Sequence, residues 1–370
     1  MKLVLKILVG ILNLIFAFFK LLPVQDKVTF ISRQANEKTE DIDMLGKEIA
    51  VQNPELKVVY LCKKLEGNIL QMLGYWCHIL TQMYHIATSK VVILDSYCIC
   101  VSVLKQRESL IVIQMWHALG SLKKFGLSIV GEGEGSRKDI ADAMAMHKNY
   151  TYVLTSSEAC LPNFAEAFGY SQEPEKMKVM SLPRVDKLTD EAFKEETLNR
   201  IYQRYPEFKD KKVVVYAPTF RKNTDISVEI DELAHQFKGD EYIFVLKKHP
   251  HMNADCKYAL VDHDFTTLEM LFAADYVICD YSAVIYEVAI LKKPLFFYTF
   301  DYESYGVDRD FYIDYKAEMP GVMEANPENL AAAIMREQFD LEAVTDFGYK
   351  YVKQQTGCTK DLAKFVIECI

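Results

Sequence analysis

Polar side chains that could handle phosphate follow several short apolar runs of this sequence. His117 comes just after the run Ile111 to Met115. Three later runs end, in chain order, with Thr219 and Arg221, with Lys248 and His249, and with Asp280 and Ser282, which Ala283 follows. Cationic side chains and hydroxyls bind phosphate oxygens, and a histidine can accept a proton near neutral pH. The pattern favours phosphate chemistry, with ordinary solvated strand ends as the alternative.

The stretch from Tyr276 to Phe300 carries this pattern most clearly. Tyr276 to Cys279 predicts a buried strand, and Ala283 to Leu291 has apolar residues at helical spacing. A strand that feeds directly into a helix presents unpaired backbone N–H groups and the positive end of the helix dipole, which together can hold a phosphate. We expect Ser282 to cap this helix. An ordinary strand, cap and helix of an α/β domain would give the same pattern.

The apolar runs form two series of predicted strands. The first comprises Val28 to Ser32, Val58 to Cys62, Val91 to Leu94, Ile111 to Met115 and Tyr152 to Thr155. The second comprises Val213 to Tyr216, Tyr242 to Leu246, Tyr276 to Cys279 and Leu295 to Tyr298. Helical patterns such as Asp41 to Gln52 and Ile69 to Ile86 separate the strands, and this alternation predicts parallel sheets with helices on both faces.

We therefore expect an α/β protein with two doubly wound, Rossmann-like domains, at residues 25–185 and 186–345. A tight hinge near Arg184 to Lys187 would join them. In open α/β sheets the ligand crevice lies beyond the carboxyl ends of the strands. The polar side chains that follow the strands are therefore the best candidates for a binding site.

Length and composition agree with two domains. Of the 370 residues, 50% are hydrophobic, which is enough for two cores. The 43 basic and 52 acidic residues give a net charge of −9, which argues against an extended nucleic-acid interface but permits local basic clefts. The nine cysteines include no CxxC pair, so we expect free thiols in a reducing cytosol, with no disulfide and no zinc.

The first 24 residues differ from the rest, because they contain three lysines and no acidic residue. The longest uncharged run, Ile7 to Phe19, has 13 residues, whereas a spanning helix needs about 20. A small-x-small cleavage site is also missing, which argues against a signal peptide. We expect an interfacial helix on the cytoplasmic face of the membrane, and packing on the protein's own core is the alternative. The tail, residues 346–370, also has helical spacing.

Five motifs occur in a distinctive order within residues 30–314. They are WHALGSLKKFG from Trp116, YAPTFR from Tyr216, KKHP from Lys247, DYSAVIYEVAILKKPLFFYTFD from Asp280 and DRDFYID from Asp308. Their order and spacing resemble the CDP-glycerol glycerophosphotransferase family, the teichoic acid primases and polymerases. The resemblance implies a metal-independent transferase of the GT-B type, in which two domains face a cleft and the C-terminal helix crosses back to the first domain.

The resemblance also implies an activity. The chain would move glycerol phosphate, or ribitol phosphate, from a CDP-polyol to an undecaprenyl-diphosphate-linked saccharide or polymer, and would release CMP without a cofactor. It would act as a peripheral, monotopic protein at the cytoplasmic leaflet, with a homo-oligomer as one option.

Strand-end position and resemblance together suggest roles for individual residues. His117 is the candidate catalytic base on the acceptor side, where Lys123 and Lys124 supply positive charge. His249 is the second candidate catalytic residue, and Glu287 could reach the ribose hydroxyls. The candidate ligands of the donor diphosphate are Thr219, Arg221, Lys248, His249, Ser282 and Ala283.

Two positions depart from the family pattern. Many members have glycine at the position of Ala118, and the alanine form with the GSLKKFG block after it resembles the primase-like and ribitol-using branches more closely. Asp310 follows Arg309 where glycine is usual. The DxD triplets at residues 41–43, 262–264 and 308–310 match the motif of metal-dependent glycosyltransferases. None of them directly ends a strand beside a nucleotide motif, so we expect no metal. Gly131 to Gly135 follows no strand and carries two glutamates, which favours a mobile loop over the cleft near the lipid acceptor.

Two other functions stay open at this stage. The chain could be a glycosyltransferase that uses a nucleotide sugar, of the sialyl- or polysialyltransferase kind, since those enzymes share the two domains and the His-Pro and Ser motifs. It could also be an inactive subunit that holds lipid precursor for another enzyme. The presence of His117, His249 and Ser282 argues against the inactive subunit.

Overall fold

The computed structural model describes residues 2–64, 69–133, 135–221, 224–249, 252, 256–308 and 310–370. The chain divides into two compact units. The first comprises Met1–Ala118, Lys124–Arg184 and Thr356–Ile370, and the second comprises Leu119–Lys123 and Val185–Gln355. Each unit contains one six-stranded sheet.

The sheet of the first unit is parallel throughout, with the order β2-β1-β3-β4-β5-β6. Its strands are β1 (Lys27–Ser32), β2 (Lys57–Cys62), β3 (Val91–Leu94), β4 (Ile111–Gln114), β5 (Tyr152–Thr155) and β6 (Met177–Val179). The helices of this unit are α1 (Lys2–Phe19), α2 (Glu40–Gln52), α3 (Ile69–Thr88), α4 (Ile99–Val103), α5 (Lys138–Ala143) and α6 (Leu161–Phe168). The unit is completed by α16 (Cys358–Glu368).

The second sheet is also parallel, with the order β12-β11-β10-β7-β8-β9. Its strands are β7 (Lys212–Tyr216), β8 (Tyr242–Leu246), β9 (Leu260–Val261), β10 (Tyr276–Cys279), β11 (Leu295–Tyr298) and β12 (Val322–Glu324). Its helices begin with α7 (Arg184–Leu188), whose first residue still belongs to the first unit, and continue with α8 (Glu191–Arg204), α9 (Ser227–His235), α10 (Thr267–Ala273) and α11 (Ile285–Ile290). They continue with α12 (Tyr302–Asp308), α13 (Tyr315–Glu318), α14 (Pro327–Met335) and α15 (Leu341–Tyr351).

The central strands are apolar and β-branched because helices cover both faces of each sheet. Every residue of β3, β10 and β11 is buried. These strands, together with β5 and β8, occupy the residues that the apolar runs predict. The strands β6, β9 and β12 were not predicted, since runs of two or three residues carry too little periodicity to be recognised.

Two helix predictions need correction. The helix after Ser282 begins at Ile285 rather than Ala283, because residues 283 and 284 form a turn first. The tail is not one continuous helix, since α15 ends at Tyr351 and α16 starts at Cys358. Within the first unit α16 packs on α2, where Gln52 Nε2 donates to the carbonyl of Lys360 at 3.0 Å.

The N-terminal helix α1 has two different faces. On one face Phe16 is fully buried, and Asn13 donates to the carbonyl of Val103 at 3.0 Å and accepts from the backbone N–H of Lys105 at 2.7 Å. The other face exposes large apolar side chains, Val4, Ile7, Ile11, Leu14 and Phe18, each with more than half of its surface accessible. Among the described residues, none of the helices has the length and apolar character needed to cross a membrane.

Candidate functional site

In the first unit, His117 lies at the carboxyl end of β4 and its ring is held by the main chain. Its Nδ1 is 2.8 Å from the carbonyl oxygen of Asp95, the residue that follows β3. A carbonyl oxygen can only accept, so Nδ1 must carry the proton and Nε2 must carry the lone pair. Gln34 Nε2, after β1, lies 3.0 Å from the same Nδ1. An amide nitrogen and a protonated Nδ1 both donate, so this contact agrees with the Asp95 bond when the Gln34 amide is turned over and its oxygen faces the ring. The neutral tautomer is therefore the one whose Nε2 can accept a proton.

Burial lowers the pKa of His117 below its ordinary value, since a charged imidazole is poorly solvated in this position. The hydrogen bond to the Asp95 carbonyl acts in the opposite direction but is the smaller effect. The ring is consequently neutral at physiological pH. A neutral histidine with its lone pair on Nε2 is the form that a general base requires.

The turn that presents His117 is conformationally strained. Trp116 has φ of 63°, in the left-handed region that a bulky residue rarely adopts. Such a residue costs on the order of 1–3 kcal/mol and persists where its surroundings fix it. Here the Trp116 ring stacks on Phe125 with centroids 5.0 Å apart, and the backbone N–H of Trp116 donates to Gln114 Oε1 at 3.0 Å. The aromatic packing and this hydrogen bond stabilise the turn.

In the second unit, the carboxyl ends of β7, β10 and β11 meet in a buried polar network centred on Asp280. The Asp280 carboxylate is fully buried and accepts from the N–H and the hydroxyl of Thr219 at 2.7–3.0 Å. It also accepts from Arg221 Nη1 at 2.9 Å. Asp301, after β11, accepts from Arg221 Nε at 2.5 Å and Nη2 at 3.0 Å, and from the Tyr281 hydroxyl at 3.0 Å. Three strand-end segments are thus tied together by one arginine and two carboxylates.

This network changes the roles predicted for Arg221 and Thr219. The Arg221 side chain is 5% exposed and lies between two carboxylates, so its charge is already neutralised. The Thr219 hydroxyl donates to Asp280 rather than outwards. The prediction that both side chains directly bind the donor diphosphate does not fit this arrangement. We instead interpret them as residues that hold the strand ends in place.

The lysines after β8 have different positions. Lys247 is buried, and its Nζ donates to Asp262 Oδ2 at 2.6 Å and to the Phe265 carbonyl. Lys248 is half-buried and His249 is exposed, with its ring stacked on Phe220 at 5.3 Å between centroids. Lys247 therefore holds the β8 end in place, and Lys248 and His249 stay the candidates for contact with a ligand. Pro250 and His251 lie outside the described residues.

The turn after β10 offers backbone donors. The hydroxyl of Ser282 accepts from the N–H of Val284 at 3.4 Å, so Ser282 stabilises the turn rather than capping α11, which has no side-chain cap. Within the described part of the chain, the N–H groups of Ser282 and Ala283 donate to no other group. Backbone N–H groups of this kind are suited to a phosphate oxygen. Glu287, predicted to reach a ribose, is 8% exposed within α11.

The two lysines of the first-unit motif separate. Lys124 is part of the first unit, whereas Lys123 belongs to the second. Lys123 forms an antiparallel bridge with Phe311, and its Nζ donates to the Tyr305 hydroxyl at 2.9 Å. Asp310, at the position where the family usually has glycine, accepts the N–H of Phe311 at 2.9 Å. Arg309 lies outside the described residues.

The described acidic residues do not form a metal centre. No group of three or more His, Cys, Asp or Glu side chains within the described ranges is placed to hold an ion. Asp41 binds Arg184, and Asp262 binds Lys247. Of the glycine-rich segment at residues 131–135, the structure describes all but Glu134, and its Gly131 N–H donates to the Ser136 carbonyl at 3.0 Å.

Asp280, Asp301 and Tyr281 are central to the second-unit network but were not among the predicted site residues. Asp280 and Tyr281 are adjacent to Ser282, and their position after a buried strand was a usable signal. Asp301 follows β11 in the same way. The sequence pattern did not indicate that these residues share Arg221. They lie up to 80 positions from it in the chain, and a local pattern carries no information on contacts at that distance.

A neutral histidine at the strand ends of one parallel sheet, and cations with backbone N–H donors at the strand ends of the other, are suited to an enzyme that acts on phosphorylated substrates. Residues 14–366 match the family model described as CDP-Glycerol:Poly(glycerophosphate) glycerophosphotransferase. The chain belongs to this family, and it is a CDP-polyol phosphotransferase.

Curated relatives include both primase types. The chain is 30% identical to the teichoic acid ribitol-phosphate primase of Bacillus spizizenii, over 94% of this chain and 92% of the relative. It is 32% identical to the teichoic acid glycerol-phosphate primase of Bacillus subtilis, over 78% of this chain and 76% of the relative. Both proteins support the family assignment.

The fold is similar to that of the wall teichoic acid polymerase TagF. A histidine-to-asparagine variant of TagF, solved with CDPG, aligns with a TM-score of 0.76 over 99% of this chain and 96% of TagF, at 18% identity. At this identity the comparison supports the fold alone. The prediction of a GT-B-like α/β fold with two parallel sheets is confirmed.

Proposed function

We propose that this enzyme transfers ribitol phosphate or glycerol phosphate from a CDP-polyol to a hydroxyl of a lipid-linked saccharide or growing polymer, in teichoic acid or related cell-surface polymer synthesis. The observation that carries the proposal is the family match over residues 14–366. The curated relatives are ribitol-phosphate and glycerol-phosphate primases, and TagF was solved with CDPG. The same match favours phosphotransfer over the nucleotide-sugar and inactive-subunit alternatives.

In the proposed reaction, the acceptor hydroxyl attacks the β-phosphorus of the CDP-polyol. A new P–O bond forms to the acceptor, the bond from the β-phosphorus to the bridging oxygen breaks, and CMP leaves with that oxygen. Nε2 of His117 accepts the hydroxyl proton. Negative charge develops on the phosphoryl oxygens, so donors positioned at those oxygens lower the barrier. Lys248, His249 and the N–H groups of Ser282 and Ala283 are the proposed donors.

We further propose that the enzyme works at the cytoplasmic membrane surface, as its lipid-linked acceptor requires. The support is the exposed apolar face of α1, on which Val4, Ile11 and Phe18 are 67%, 51% and 67% exposed. Lys6 and Lys20 belong to the same segment and could contact anionic headgroups. A helix with this combination lies in the interface and does not need to span it.

The donor and the acceptor can be tested together. The full chain would be incubated with a defined lipid-linked disaccharide and radiolabelled CDP-ribitol, CDP-glycerol or CMP-sialate, and the products would be analysed by mass spectrometry. We expect a mass increase of one or more polyol phosphates with one CDP-polyol, release of CMP, and no product with CMP-sialate. Transfer of sialate, or no transfer from either CDP-polyol, would reject the proposal.

A further inference from the structure

The first residue of the DxD triplet at residues 41–43 binds an arginine. Asp41 is 2% exposed in the first turn of α2. Its Oδ1 accepts from the backbone N–H of Arg184 at 2.8 Å, and its Oδ2 accepts from Nε at 2.8 Å and from Nη2 at 2.5 Å. One buried carboxylate therefore fixes both the backbone and the guanidinium of Arg184.

The same guanidinium reaches the turn that carries His117. Arg184 Nη2 donates to the backbone carbonyl of His117 at 3.2 Å. This peptide follows Trp116, whose φ of 63° needs support from its surroundings. Gln114 binds the backbone N–H of Trp116, and Arg184 binds the backbone carbonyl of His117, so both ends of the turn are held. The backbone of His117 is thus held independently of its ring.

We propose that Asp41 and Arg184 are positioning residues for His117. Their ion pair fixes the His117 carbonyl, which keeps Nδ1 of the imidazole on the Asp95 carbonyl and presents Nε2 to the acceptor hydroxyl. Neither residue touches the reacting atoms. The inference rests on the proposed role of His117 as the base. The charged and polar groups that face His117 are Asp95 after β3, Gln34 after β1, Asp41 of α2 and Arg184 of α7.

Two substitutions test whether the geometry of the Asp41–Arg184 ion pair matters in addition to its charge. Arg184→Lys keeps the positive charge but lacks the forked guanidinium that binds Asp41 and the carbonyl together. Asp41→Asn keeps the shape and removes the negative charge. Asp43→Asn is the matched control, because Asp43 lies in the same helical turn but forms surface ion pairs with Lys38 and Lys47 at 3.1 and 2.6 Å.

We expect Arg184→Lys and Asp41→Asn to lower kcat by about 10- to 100-fold, since small misplacements of a reacting group have effects of this size. The KM for the CDP-polyol should stay unchanged, as should all parameters of Asp43→Asn. In Arg184→Lys, which keeps both charges, a loosened His117 is better solvated, so its pKa rises toward the ordinary value and the acid limb of the pH–kcat profile moves to higher pH. Asp41→Asn also removes a negative charge that raises this pKa, so the pH profile is compared for Arg184→Lys alone. If Arg184→Ala loses activity while Arg184→Lys keeps full activity, the positive charge is sufficient and the forked guanidinium is not needed, which would contradict the proposal.

Nitrogen NMR of the substrate-free protein shows which ring nitrogen of His117 carries the proton. Wild type and Asp43→Asn should show the proton on Nδ1 alone, and the two positioning variants should show both tautomers. Retention of the single tautomer in both variants would overturn the inference, as would a lower Tm with unchanged kcat and pH profile. If the wild-type chain transfers from no CDP-polyol, the proposed function fails while the NMR comparison still decides this inference. Should Asp41→Asn not fold, Arg184→Lys carries the test.

Discussion

The main chain, rather than another side chain, determines the tautomer of His117. The Asp95 carbonyl accepts from Nδ1, so the ring needs no carboxylate partner to leave Nε2 basic. In the second unit a buried carboxylate, Asp280, has the opposite effect, because it engages the donors of Thr219 and Arg221 that were expected to face the substrate. At the residue scale, hydrogen-bond partners therefore decide which strand-end side chains are available for chemistry.

His117→Asn provides the most direct test of the proposed base. The asparagine amide can still donate to the Asp95 carbonyl, but it has no group in place of Nε2. We expect kcat to fall by at least about 100-fold, with near wild-type affinity for the CDP-polyol, because a general base contributes about 10²- to 10⁴-fold. Single-turnover assays and calorimetry measure the two quantities. The exposed His235→Asn is the control, and a His117→Asn enzyme with more than a tenth of wild-type kcat would exclude the role.

Arg221→Ala should act mainly on stability. It leaves Asp280 and Asp301 without their shared counter-ion in the interior, and removing one partner of a buried ion pair destabilises by about 3–5 kcal/mol. The control Arg137→Ala breaks a surface pair with Asp139, whose two side chains are 69% and 39% exposed, and should change the free energy of unfolding by less than about 1 kcal/mol. Urea unfolding distinguishes them. A fully stable Arg221→Ala protein with weakened CDP binding would restore the predicted role as a phosphate ligand.

At the scale of elements, α1 packs on the first unit and also exposes an apolar face. Its Phe16 and Asn13 attach it to the first unit, while Ile7, Ile11 and Leu14 stay exposed. Deletion of the segment would therefore uncover core residues as well as remove the apolar face. Only substitutions confined to the exposed face can separate membrane binding from folding.

The triple variant Ile7→Ser, Ile11→Ser and Leu14→Ser should keep the Tm of the wild type but lose binding to anionic liposomes, because interfacial binding scales with buried apolar area. Activity on an acceptor in liposomes should fall, and activity on a water-soluble acceptor analogue should persist. Vesicle co-sedimentation and both assays measure this. Val51→Ser and Val228→Ser, at sites 73% and 66% exposed elsewhere, are the controls. Unchanged liposome binding of the triple variant would contradict an interfacial α1.

At the scale of the whole molecule, the first unit should be the more acid-sensitive part. His147 is 2% exposed, and burial lowers its pKa to about 4. Burial also lowers the pKa of His85 to about 4, and it lowers the pKa values of His78 and His117. The unfolded chain binds protons at these sites below about pH 6.5, and the native chain does not. Stability is therefore fully present above pH 6.5 and falls as the pH decreases toward 4.

His147→Asn tests this dependence at one residue. Asparagine does not titrate, and it tolerates the φ of 61° found at this position. Between pH 7 and pH 4.5 the free energy of unfolding of the wild type should fall by about 2–3 kcal/mol more than that of the variant, at about 1.4 kcal/mol per pKa unit. Urea unfolding of both proteins at the two pH values measures the difference. Equal losses would mean that His147 is not buried in its neutral form.

The sequence by itself determined the parallel α/β character, the strands with four or more apolar residues, and the family. Local periodicity and the order of motifs along the chain can both be read without knowing which residues are in contact. It also identified His117, Lys248, His249 and Ser282 as strand-end groups. The tertiary structure decided which of these groups face outwards. The bonds from Arg221 to Asp301 and from Arg184 to Asp41 join positions 80 and 143 residues apart. Such contacts arise only when elements that are far apart in the chain pack together, and no local pattern encodes them.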